Sequence, residues 1–272
     1  MENKKGILYL VPTPIGNMED ITYRALKVLN EVDVIFCEDT RISKELLKFY
    51  KITKKLISSN EQNELKRTEL MINYLSSNKN VAIITDRGTP IISDPGYILV
   101  KKAIEEGYEV IGLPGANAAT TALIISGLNP YPYLFYGFLK GNNKKKIENL
   151  KNLQKIKYSI IFYESVHHIQ ETLNLIYSVF GNRRVAICRE LTKMYEECVR
   201  DELENIINNF NVITLKGEFV IVVEGNNNDV DYSDLNLIDH VNLYISDGFE
   251  KMEAIKKTSK DLNLSKSEVY KK

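Results

Sequence analysis

Four short β-branched runs constrain this chain most: ILYLV (7–11), VDVIF (32–36), VAIIT (81–85) and YEVIGL (108–113). Between them lie longer stretches of helical pattern at 20–30, 61–77 and 97–106. The alternation predicts an α/β unit built on a mostly parallel sheet. In DITYRALKVLNEVD, Asp20 is placed to cap a helix whose Ala25, Leu26 and Leu29 recur on one face. After residue 139 the composition turns polar and basic, and the strand pattern then resumes at YSIIFYES (158–165), RRVAICREL (183–191) and EFVIVVEG (218–225). Two α/β domains are expected, at 1–139 and 140–225. They are followed over 226–272 by a polar linker, GNNNDVDYSD (225–234), and a short Lys-rich helical tail.

The runs are bounded by Pro/Gly turns, and the densest is DRGTPIISDPG (86–96), between the run VAIIT and the helical stretch YILVKKAIEEG. Ser93 or Asp94 can serve as its N-cap, and Pro95 suits a first helical position. Gly88 and Gly96 permit close backbone approach, and loops at the carboxyl ends of strands are where open α/β sheets hold ligands. VPTPIGN (11–17) and GLPGANAATTA (112–122) also follow strands, and the small residues of the latter admit a flat apolar group such as a nucleoside. No Walker loop and no Gly-x-Gly-x-x-Gly fingerprint occurs, which argues against nucleoside triphosphates and NAD.

With 44% hydrophobic and 26% charged residues the chain can bury substantial cores, and no apolar run nears the roughly 18 residues of a membrane span. The N-terminal apolar run is broken by prolines too early for a signal peptide and is taken as a first strand. Cys37, Cys188 and Cys198 are odd in number and widely spaced, fitting neither a disulfide framework nor a zinc site; the expected setting is cytoplasmic, with no metal. Charges balance at 36 against 36, yet Lys140, Lys144, Lys145, Lys146, Lys151, Lys155 and Lys157 face one acid, Glu148. That run is either a solvated helix face or a surface for a phosphate backbone.

Other strand ends carry titratable groups. CEDTR (37–41) holds Glu38, Asp39 and Arg41, which read on spacing as a cap with a surface ion pair. FYESVHH (162–168) holds Glu164, His167 and His168, and CRELTK (188–193) holds Glu190 and Lys193. These could do acid/base work, but spacing alone does not bring them together.

In order, LVPTPIGNMEDITYRAL, CEDTR, DRGTPIISDPGY, LPGANA, FYGFL, FYESVHHI, RELTK and KGEFVIVVEG resemble the ribosomal RNA methyltransferase group of the tetrapyrrole methylase superfamily, collinearly over roughly residues 6 to 225. The resemblance implies two α/β domains of the tetrapyrrole methylase type, with S-adenosyl-L-methionine in the cleft between them and usually a homodimer. It also implies 2'-O-methylation of a cytidine ribose in the decoding region of 16S rRNA, with the small ribosomal subunit as partner. By motif match the donor site would be lined by Pro12, Gly88, Ile91, Ile92, Ser93, Asp94, Ala116, Asn117, Ala118, Ala119, Tyr163, Glu164, Glu190, Leu191, Glu218 and Phe219.

A sulfonium is an excellent leaving group, so positioning of the acceptor oxygen and exclusion of water are the enzyme's main tasks. A neutral ribose hydroxyl is a poor nucleophile, and Glu38, Asp39, Glu164 and Lys193 are candidate bases by residue type. In this context Lys140, Lys144, Lys145 and Lys146 become an RNA-facing element. Two departures stand out: Arg87 occupies a place where the group has a small residue, and ESVHH replaces ESPHR. Competing readings keep the fold but methylate a small acceptor such as a tetrapyrrole carbon, or bind RNA without catalysis.

Overall fold

The computed structural model describes residues 5–60, 62–226, 236–246, 248–262 and 264–270. Strands β1 (Ile7–Leu10), β2 (Val34–Cys37), β3 (Lys55–Ser58), β4 (Val81–Ile84) and β5 (Glu109–Gly112) form an all-parallel sheet in the order β3-β2-β4-β1-β5. Helices α1 (Tyr23–Glu31), α2 (Thr40–Phe49), α3 (Glu64–Ser76) and α4 (Tyr97–Glu105) connect them. Alternate residues of each central strand feed opposite faces. Ile35 and Cys37 of β2 pack with Ala25, Leu29 and Leu47 of α1 and α2, while Val34 and Phe36 pack with Met71, Leu75 and Leu99 of α3 and α4. Burial on both faces is why these strands read as unbroken apolar runs.

Two expected helix starts shift. Asp20 lies in a 3-10 turn, and the α1 cap is Thr22, whose Oγ1 accepts from Ala25 N at 3.0 Å. At α4 the N-cap is Gly96, not Ser93 or Asp94.

The second sheet comprises β6 (Tyr133–Phe138), β7 (Ser159–Ser165), β8 (Arg184–Arg189), β9 (Glu197–Glu202) and β10 (Glu218–Val223), in the order β6-β7-β10-β8-β9. Only β6 and β7 run parallel, joined by α6 (Asn143–Leu153); the remaining pairs are antiparallel. Because β6 is bonded to β7, the second sheet begins at residue 133, ahead of the expected boundary at 139. Three strands that the sequence pattern did not single out, β3, β6 and β9, are all edge strands. At β3 and β9 the polar and charged residues of a half-exposed edge blur the apolar signal. Cys188 and Cys198 face each other across β8 and β9 as free thiols.

One face of this sheet packs Ile160, Phe162 and Ile221 against Leu150 of α6 and Leu173 and Ile176 of α7 (Ile169–Phe180). The other packs Ile161, Ala186, Val220 and Val222 against Ala119, Ala122 and Leu123 of α5 (Ala118–Ile125), with Ile15 from the loop after β1. Thus α5, which follows the first sheet in the chain, covers the second. At roughly 1.5–3 kcal/mol per fully buried aliphatic side chain, that face joins both sheets into one body among the described residues up to 225.

The described residues of 226–272 form a separate compact unit. It contains α9 (Leu237–Ser246), α10 (Lys251–Asp261) and α11 (Lys266–Tyr270), with Ala254, Ile255, Thr258 and Val269 buried, so the tail is a packed three-helix module among the described residues. A short helix, α8 (Leu203–Asn208), completes the larger body. Most of the expected linker lies outside the described residues, and no described helix is long and apolar enough to cross a membrane.

Candidate active site

In the parallel sheet every strand delivers its carboxyl end to one edge, and the three Pro/Gly loops gather there. Thr13 and Gly88 exchange backbone hydrogen bonds at 2.9 and 3.1 Å, tying the loop after β1 to the loop after β4. The latter is taut: Ile91 and Ser93 hold left-handed φ values of 76° and 69°. Its far end is anchored by Glu64 of α3, whose buried Oε1 accepts from Gly96 N at 2.9 Å and Ile98 N at 3.1 Å. The cap of α4 therefore comes from another helix, leaving Ser93 and Asp94 to face the cavity.

The second sheet contributes a matching edge. Strands β7 and β8 end there and antiparallel β10 begins there, with Phe219 in register with both Glu164 and Arg189. Glu190 and Thr192 are left-handed, at φ 48° and 66°. Gly217, at φ +79°, lets the chain pass so close to Glu190 that a Cβ would lie 2.0 Å from Glu190 Oε1. Asn17 N donates to Thr192 Oγ1 at 3.0 Å, tying the loop after β1 to this edge as well.

Between the two edges is a cavity of about 490 Å³, a size typical of small-molecule sites. Of the residues expected from sequence it brings together Glu38, Gly88, Ile92, Ser93, Asp94, Asn117, Ala118, Tyr163, Glu164, Glu190, Leu191, Lys193, Glu218 and Phe219. Pro12, Ile91, Ala116 and Ala119 do not line it. Pro12 packs on Gly115, Ile91 on Gly96, Ala116 O accepts from Thr89 Oγ1 at 3.0 Å, and Ala119 N donates to Tyr163 Oη at 3.2 Å.

Asp39 is turned away. It caps α2 and grips Arg41 at 2.6 Å, and those hydrogen bonds lower it to about 2, which disqualifies it as a base. Glu164 is committed at both oxygens, accepting from Thr172 Oγ1 at 2.6 Å and Ser165 N at 2.8 Å. Lys193 Nζ donates to Glu190 Oε1 at 2.8 Å, and that bond holds Glu190 below the ordinary carboxylate range.

Sequence reasoning missed Thr85 and Asp86, although they directly follow β4, and Phe138, which stacks edge-on with Tyr163. It noted Arg87 only as a departure. Arg87 Nη1 in fact donates to Glu218 Oε2 at 2.8 Å, so the unusual residue links the loop of one sheet to the first residue of β10 in the other. Of the lysine run, Lys140, Lys144 and Lys145 are exposed. Lys146 is 7% exposed because it shares the inward face of α6 with Leu150 and Leu153, and so it drops out of any RNA-facing surface.

Burial raises Asp94 to about 6, against a hydrogen bond from Thr85 and with Glu38 and Asp86 adding repulsion. Burial also raises Asp86, and pushes Tyr163 to about 12, so its hydroxyl stays protonated. A carboxyl raised above its ordinary 3.8 is penalised when ionised in the fold, so stability falls as pH climbs from about 4 to about 6. Asp94→Asn should therefore stabilise the protein at neutral pH by roughly 1 kcal/mol, after discounting for the screening of a partly exposed group. Denaturant melts between pH 4 and 7 should show the dependence flattened, and an unchanged slope would refute this origin.

A family described as Tetrapyrrole (Corrin/Porphyrin) Methylases matches residues 7–207. The chain belongs to the tetrapyrrole methylase family. Among its relatives, the Bacillus subtilis (strain 168) "Ribosomal RNA small subunit methyltransferase I" is 47% identical over 271 residues, covering 97% of this chain and 93% of that one. The protein of the same name from Halalkalibacterium halodurans is 45% identical, over 98% and 94% of the two chains. Solved tetrapyrrole methylase folds superpose more distantly. A diphthine synthase gives a TM-score of 0.65 at 16% identity, over 80% of this chain and 90% of that one. Uroporphyrin-III-C-methyltransferase from Thermus thermophilus gives 0.58 at 17% identity, over 81% and 94%. As a tetrapyrrole methylase, the chain places its cavity between two sheets whose facing loops are cross-tied at Asn17–Thr192 and Arg87–Glu218, with Thr13–Gly88 bracing two loops of the first sheet.

Proposed function

We propose that this protein is an S-adenosylmethionine-dependent methyltransferase of the small ribosomal subunit, acting on the 2'-hydroxyl of a cytidine ribose in the decoding region of 16S rRNA. The observation that carries the reading is near-full-length identity of 45–47% to proteins named for ribosomal RNA small subunit methylation. The cavity chemistry supports the donor. Glu38, Asp86, Asp94, Glu164, Glu190 and Glu218 line it against Arg87 and Lys193 only, a balance suited to a ligand with a sulfonium and an ammonium. Ile15, Ile92, Ala118, Leu191, Phe219 and Val220 give it an apolar wall for a nucleoside. When bound, the donor supplies a methyl group on a sulfonium leaving group.

The chain's own residues position the partners and take the proton. Glu38, Asp86 and Asp94 cluster at the carboxyl ends of β2 and β4. Asp94, held near 6, is ionised at neutral pH yet more basic than an exposed carboxylate, which suits it to accept the hydroxyl proton. Turnover should rise with pH through about 6 and fall roughly 100-fold or more in Asp94→Asn.

The decisive experiment uses small subunits from a strain lacking its own such enzyme, labelled methyl donor, and mapping of ribose methylation. One 2'-O-methylated cytidine in the decoding region is expected. Transfer to a tetrapyrrole and not to subunits would replace this reading with the small-acceptor one, and absence of calorimetric donor binding would remove the enzyme altogether.

A further inference from the structure

A second cavity, of about 610 Å³, opens beside the first and shares Ile15, Ile42, Asp86, Arg87 and Lys193 with it. Its remaining wall is the outer face of α2 together with the loop at 14–18. Helix α2 buries Ser43, Leu46 and Leu47, yet Ile42 and Phe49 are 46% and 61% exposed. They recur at i and i+7 with Glu45 between, so the two apolar side chains share one outward face. Scattered exposed apolar residues are ordinary; two on one face, lining a concavity that continues a small-molecule site, are not.

The Phe49 ring is braced. Tyr50 meets it edge-on, with centroids 5.0 Å apart at 87°, and the Tyr50 hydroxyl donates to Met18 O in the same wall. Lys48 stands at the rim without an ion-pair partner among the described residues, whereas Arg87 and Lys193 are held by Glu218 and Glu190. An exposed aromatic with a lysine beside it offers an unstacked base a face and a phosphate a cation.

We propose that this second cavity receives the acceptor nucleotide, splayed out of the RNA, with its base stacked on Phe49 and a flanking phosphate at Lys48. The inference rests on the RNA methyltransferase reading and extends it to a site. The shared wall at Ile15, Arg87 and Lys193 then lies between acceptor and donor, and the ribose hydroxyl reaches the first cavity without the base entering it. A ribose hydroxyl must meet the methyl carbon in line, and a splayed nucleotide held by its base presents that hydroxyl free of its neighbours.

The test uses the full chain with undermethylated small subunits as acceptor. Phe49→Ala should raise KM for subunits roughly 10- to 100-fold, the loss of one base-stacking contact, while calorimetric affinity for S-adenosylmethionine stays at the wild-type value. Phe49→Tyr, which keeps the aromatic face, should restore KM. Lys48→Ala should weaken the acceptor and shallow its salt dependence. A subunit carrying 5-bromocytidine at the methylated position should photocrosslink to the α2 peptide containing Phe49.

Wild-type KM in both Phe49→Ala and Lys48→Ala, or a crosslink confined to another peptide, would overturn the assignment while leaving the methyltransferase reading standing. A dimer that falls apart in Phe49→Ala, seen by sedimentation, would overturn it in favour of a contact between copies. If wild-type protein binds donor but methylates no subunit, the underlying reading fails and this inference with it.

Discussion

Gly217→Ala is expected to lower turnover roughly 100-fold and stability by about 1–2 kcal/mol. The stability cost follows from the backbone: at φ +79° an L-residue is strained whatever space surrounds it. The loss of activity follows from the neighbour. The new Cβ would stand 2.0 Å from Oε1, 2.5 Å from Cδ and 2.9 Å from Cγ of Glu190, so the whole side chain must leave. Glu190 is itself left-handed at φ 48° and holds Lys193 at 2.8 Å, so its departure releases the cation that stands in the walls of both cavities. Thermal melts and steady-state methyl transfer measure the two effects separately. Adding Glu190→Ala should relieve the clash and recover part of the melting temperature, with no recovery of turnover. A Gly217→Ala protein with wild-type turnover would show that Glu190 and Lys193 do not position the reaction.

Glu64→Ala should cost roughly 2–3 kcal/mol and weaken the donor about tenfold, although Glu64 does not line the cavity proposed for it. One buried carboxylate oxygen serves two backbone N–H groups at the start of α4, and its removal leaves both without their acceptor. The taut segment from Gly88 to Gly96 then keeps its ties at Thr13 and Ala116 but loses its anchor at α4, and the left-handed Ile91 and Ser93 relax. Glu64→Gln keeps an acceptor oxygen and loses only the charge at a helix N-terminus, so it should fall between wild type and alanine. Urea titration and donor calorimetry on the three proteins give the comparison; equal donor affinity in all three would show that the loop holds its shape without this anchor.

These two residues mark where sequence reading stops. Central strands were legible because both faces of β2, β4, β7, β8 and β10 are buried and their sequences are continuously apolar. The same property hid strand direction, since a run without alternation looks alike in parallel and antiparallel sheets. The strand-end loops were legible as ligand loops from their Pro/Gly density. Their supports were not: Glu64 reaches 32 residues along the chain to Gly96, and Arg87 reaches 131 residues to Glu218. Nothing in the local pattern around Glu64 or Arg87 signals such partners. Residue type also left rotation unresolved, so that Lys146, a sound candidate by chemistry, sits on the inner face of α6, while Asp39 takes the cap and surface ion pair that the spacing of CEDTR indicated and not the role of a base.

Helix α5 has a consequence for recombining relatives. A crossover placed in the gap between α5 and β6 would send the helix with the wrong partner, leaving Ile161, Ala186, Val220 and Val222 of the incoming sheet facing an unmatched surface. Chimaeras should instead exchange before residue 118, so that Ala119, Ala122 and Leu123 travel with the strands they cover. The inheritable piece is thus α5 with the five strands and the helices α6 to α8 between them, and its natural seam runs through the LPGANA loop.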